Sequence, residues 1–145
     1  MKEVEIEIPN GYEIDQEKST FEKIVFKPCI KVDSVEAACR ALGECDKDVK
    51  ELRKLQKAGC DCTFQSLVVA IKAFNEGWEP DWNNSNQYKY MAYYNMKGDT
   101  PTFFDWICND SDSHVPSRLC FPTKERVEEF VKIREFNNLY IKYLM

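Results

Sequence analysis

The stretch Thr63-Phe64-Gln65-Ser66-Leu67-Val68-Val69-Ala70-Ile71-Lys72-Ala73-Phe74, running on to Trp78, carries the strongest helical pattern in the chain. Phe64, Leu67, Val68, Ile71, Phe74 and Trp78 recur at steps of three and four, the period of one helix face, with Thr63 as N-cap. Upstream, Asp33-Ser34-Val35-Glu36 and Asp48-Val49-Lys50-Glu51 have capping-box spacing. They predict two further helices, ended by Gly43 and by Ala58-Gly59.

Outside this helical middle the period changes to two. Val4, Ile6 and Ile8 alternate with Glu3, Glu5 and Glu7, and Phe21 to Lys27 places Ile24 and Phe26 on one face. These segments predict an antiparallel N-terminal ribbon, with the glutamates facing Lys23 and Lys27. Tyr88 to Met96, Phe103 to Cys108 and Arg118 to Phe121 predict a three-stranded C-terminal meander, and Pro122-Thr123 opens one long final helix packed on it. The expected class is α+β, in a single domain over residues 1–145.

The 145 residues fit one core, and 43% apolar content with five Gly and six Pro excludes a disordered or collagen-like chain. A net charge of −5, spread along the chain, opposes coating of a phosphate backbone by bulk attraction. The longest uninterrupted apolar run, Leu67 to Ile71, is far short of the roughly 20 residues that cross a bilayer, so no membrane partner is expected. Seven cysteines, an odd number, behind a charged opening with no secretory pattern lead to the expectation of reduced thiols in a cytoplasm.

Candidate chemistry is sparse. Cys60-Asp61-Cys62 with Cys45 falls short of the two cysteine pairs of a structural zinc site, and a thiol activated at the third helix's N-terminus is the redox alternative. His114 is the sole histidine, so a Cys-His or Ser-His arrangement must pass through it, oriented by Asp110 or Asp112 with Cys108 or Cys120 as nucleophile. The same aspartates lack the glycine and glutamate of a calcium loop, and phosphate-loop and hydrolase signatures are absent. No catalytic residue, metal ligand or cofactor is assigned. Lys47, Lys50, Lys54 and Lys57, with Arg53 beside them, gather positive charge on one helix face, where an anionic partner could dock or water simply solvate it.

The densest unusual segment runs from Glu76 to Tyr90, with two Trp, two Tyr and many amides. Rigid aromatic area beside adaptable amides is what recognition surfaces use, although the simpler reading is that the same rings fill the core. Trp78, Asp81, Trp82, Asn84, Tyr88, Lys89 and Tyr90 are the predicted binding residues, and the leading expectation is a non-enzymatic module that binds a protein. One alternative is single-stranded nucleic-acid binding by Tyr88, Tyr90 and Tyr94 with Lys89 and the lysine-rich helix. The other is an enzyme dependent on Cys60, Cys62 or His114.

The segments Ile8 to Asp15, Ser19 to Glu22, Glu76 to Trp82 with Tyr88-Lys89-Tyr90, Ser117 to Phe121 and Leu139 to Leu144 resemble small uncharacterised proteins carried by phages, prophages and mobile elements of Bacteroides-like gut bacteria. The resemblance spans most of the chain, least in residues 29–62. It implies a bacterial cytoplasm and an accessory role for a phage or mobile element, and brings no activity or site residue with it.

Overall fold

Three helices do form in residues 35–74, and each is started by a different residue from the one its motif suggests. In the computed structural model, which describes residues 4–9, 12–29, 31–110 and 118–145, α1 spans Val35–Leu42, α2 Lys47–Lys57 and α3 Thr63–Phe74. Ser34, in extended conformation, caps α1 by accepting from the Ala37 N–H at 3.1 Å. Asp46 caps α2 through the Asp48 and Val49 N–H groups at 2.8 and 3.3 Å. Cys62 is the N-cap position of α3, and the neighbouring Asp61 carboxylate takes the Thr63 N–H at 2.9 Å. The capping reading of Asp48 is therefore corrected: a carboxylate two residues earlier already holds those orphan donors.

The chain forms two compact units, Met1–Lys31 and Val32–Met145. In the first, β1 (Tyr12–Ile14) pairs antiparallel with β2 (Phe26–Pro28), in the register Glu13 opposite Lys27. Residues 4–9 form no strand, and Val4 is 83% exposed, so the expected strand over Val4 to Ile8 does not occur. Alternation alone supplies no ladder partner, and the turn built on Asp15, whose carboxylate accepts from the Glu17 and Lys18 N–H groups, brings the later residues together instead. Among the described residues the cross-strand ion pair is accordingly Lys27 with Glu13 at 3.2 Å, not with Glu5 or Glu7, and Glu3 lies outside the described residues.

The second unit is α+β. β3 (Lys89–Asn95) pairs antiparallel with β4 (Thr102–Asn109), with a bulge between Tyr93 and Tyr94. The expected third strand of a meander reduces to one bridge, in which Tyr90 and Phe121 exchange backbone hydrogen bonds of 3.0 and 2.8 Å. Pro122 follows at once and has no N–H to continue a ladder.

The long final helix is also corrected to two, α4 (Lys124–Lys132) and α5 (Arg134–Leu144), separated by Ile133 at φ −77° and ψ 113°. In one straight helix Phe130 and Phe136 would point about 120° apart, at about 100° per residue. The break lets both sink into one core, their rings stacked with centroids 4.5 Å apart and both fully buried. Leu67, Val68 and Ile71 of α3 meet Phe121, Phe130 and Phe136 there, while Val69 and Ala73 turn to Ala38, Cys39, Val49 and Leu52 of α1 and α2. α3 is thus covered on two sides, which is why its apolar residues occupy more than one stripe.

Candidate functional site

The C-terminal end of α3 sets up the site. Asn75 closes the helix through its N–H to Ile71 O at 2.9 Å, then Glu76 and Gly77 take φ of 52° and 87° and turn the chain sharply. Gly77 suits that left-handed backbone, and Glu76 is held there with its carboxylate 3.1 Å from Arg126. The turn delivers Trp78 and Trp82 to the mouth of a cleft of about 280 Å³, whose other walls include Asp48, Lys72, Asn75 and Arg118.

Beneath the tryptophans lies a network of four charges. Asp48, 4% exposed, accepts from Lys72 Nζ at 2.9 Å and from an Arg118 Nη, and Lys72 also reaches Asp46 at 2.7 Å. Burial by itself would raise the Asp48 and Asp46 carboxyls. For Asp48 the hydrogen bonds from Arg118 and Lys72 outweigh it, and for Asp46 those from Lys72 and the α2 backbone, so both stay below the ordinary carboxylate range. Burial would likewise lower Lys72, and its two carboxylate partners overcome this and raise it. Gln65 Nε2 donates to Asp48 O at 2.9 Å, which ties the network to α3. In the same wall Asn75 Nδ2 donates to Cys120 O at 2.9 Å, whereas the buried Asn75 Oδ1 has no hydrogen-bond partner among the described residues.

The predicted binding residues separate into three groups. Trp78 and Trp82 line the cleft, each half-buried. Asp81 and Asn84 are exposed, but their side chains serve the loop: Asp81 Oδ1 accepts from Asn83 N at 3.0 Å and Asn84 Oδ1 from Asn86 N at 2.9 Å. Tyr88 is 58% exposed, Tyr90 packs edge-on against Trp106 with centroids 5.4 Å apart, and Lys89 is fully buried. The Lys89 ammonium donates to Asn84 O at 2.9 Å and Asp110 O at 2.6 Å and lies 5.3 Å from the Trp82 ring centroid. Carbonyl dipoles and a π-face hold this buried cation, which fixes both the loop and Trp82.

Tyr88, Tyr90 and Tyr94 therefore share no common wet surface. Tyr94 sits in the core, stacked on Tyr140 at 5.4 Å and donating to Asn137 Oδ1 at 2.6 Å, and burial raises its phenol. On α2, Lys47, Lys50, Lys54 and Lys57 are all exposed, whereas Arg53 is drawn aside by Glu36 and Glu44, each 2.9 Å from it.

Cys60 is exposed and Cys62 half-buried ahead of α3, while burial pushes the Cys120 thiol up to about 12, leaving it protonated at neutral pH. Among the described residues no group of three or more His, Cys, Asp and Glu is placed to hold a metal ion. His114 and Asp112 lie outside the described residues.

Sequence reasoning missed Asp48, Lys72, Asn75 and Arg118 as site residues. The one visible signal is Lys72, a charge set four residues after Val68 inside the most apolar helix of the chain. No helix of the described residues is long and apolar enough to cross a membrane. No protein-family model, no curated protein and no solved structure matches the chain.

Proposed function

We propose that this chain is a non-enzymatic binding module that grips a protein partner through the cleft between Trp78, Trp82 and the Asp48 network. The observation that carries the reading is the pairing of two half-buried indoles with a cleft whose walls are held by ion pairs and by the buried Lys89. Rigid aromatic walls meet a visiting side chain with little loss of their own freedom. The volume of about 280 Å³ is slightly below the roughly 300–1,000 Å³ of small-molecule sites, which favours one or two side chains over a cofactor. An accessory role for a phage or mobile element rests on the sequence resemblance alone.

Selection of a displayed random-peptide library on the wild-type protein, with counter-selection on Trp78→Ala, tests this. Peptides that lose binding to the folded variant are expected; a failure to enrich any peptide that discriminates the two proteins would refute the reading.

A further inference from the structure

The exposed lysines of α2 begin at the cleft. Lys47, the first residue of the helix, lines it, and Lys50, Lys54 and Lys57 follow within an arc of about 80° at about 100° per residue. The opposite side of α2 carries buried Val49 and Leu52, so the lysines look away from the core. Lys47 to Lys57 spans about 15 Å, at about 1.5 Å per helical residue, which equals the reach of four or five extended residues. Among the described residues the one ion pair these lysines make is Lys54 with Glu51 at 3.7 Å, with both side chains well exposed. The stripe thus remains largely unneutralised on a chain of net charge −5.

We infer that the partner is an acidic peptide segment, with one apolar anchor side chain seated between Trp78 and Trp82 and its carboxylates running along Lys47, Lys50, Lys54 and Lys57. This rests on the cleft being the binding site and adds what it binds. Arg118, whose side chain is 46% exposed, leaves guanidinium donors for a carboxylate beside the anchor. The burial of Lys89 and Tyr94 removes the cation and one of the rings on which bases would stack, which favours a peptide over a nucleic acid.

The probes are two fluorescein-labelled peptides, each of five alternating Asp and Glu residues with a Leu at one end or the other, and their Asn/Gln counterparts. Fluorescence anisotropy reads affinity, and indole emission, in a Trp106→Phe background, reports the cleft. At low salt an acidic peptide is expected to bind about tenfold more tightly than its neutral counterpart, weakening as salt rises. Lys50→Glu with Lys54→Glu, surface changes checked by circular dichroism, is expected to weaken the acidic peptide about fivefold or more and leave the neutral one unchanged. Equal affinity for the two, with the indole response intact, overturns the acidic partner and leaves the cleft reading standing. No binding and no indole response overturns both. Tighter binding of an oligothymidine overturns the peptide in favour of nucleic acid.

Discussion

Replacing Asp48 by Asn tests the charge network that shapes the cleft. Removing one partner of a fully buried ion pair costs about 3–5 kcal/mol, because the other charge is left stranded. Here the stranding is incomplete: the Lys72 side chain is 24% exposed and keeps Asp46 at 2.7 Å, and the Arg118 side chain, 46% exposed, can turn to water. The discounted cost is about 2 kcal/mol, or roughly 6 °C in Tm for a chain of this size.

The pH dependence separates lost charge from lost shape. The carboxyl of Asp48 lies below its ordinary value in the folded state, so its contribution is fully present above the unfolded value near pH 4 and is lost as pH falls through the depressed folded one. Urea unfolding of both proteins should show the full gap at pH 7, unchanged at pH 6, and a shrinking gap below about pH 4. Lys72, raised by its partners, keeps its contribution throughout this range and loses it only at strongly alkaline pH. A gap below about 0.5 kcal/mol at pH 7, or one of constant size down to pH 2.5, would refute the reasoning.

Other outcomes follow from the core. Phe130 is fully buried against Phe74, Phe121, Phe136 and Tyr140, so Phe130→Ala should cost about 3–5 kcal/mol by urea unfolding. Tyr94→Phe should cost about 1 kcal/mol, since the hydrogen bond to Asn137 is lost, whereas Tyr140→Phe should be neutral or stabilising because the Tyr140 hydroxyl is buried without a partner among the described residues. Native-state alkylation followed by mass spectrometry should label Cys29, Cys45 and Cys60 first and leave Cys39 and Cys120 until the chain unfolds; early labelling of Cys39 would contradict its burial against Val49 and Leu52.

The amino-acid sequence by itself determined the three helices of the middle and the aromatic strands β3 and β4, but its helical pattern ran on to Trp78, whereas α3 ends at Phe74. Periodicity, capping side chains and left-handed glycines are local properties, and they are written within a few residues of where they act. Tertiary structure alone decided the rest. Whether Lys89 met a phosphate or two backbone carbonyls depended on Asp110, 21 residues away, and whether Asp48 capped a helix or anchored a cleft depended on Lys72 and Arg118. Ile133 broke the last helix so that Phe130 and Phe136 could share one core, a gain that no pattern within residues 122–145 records. Burial and pairing of charge are set by groups distant in the chain, and a one-dimensional pattern carries no measure of that distance.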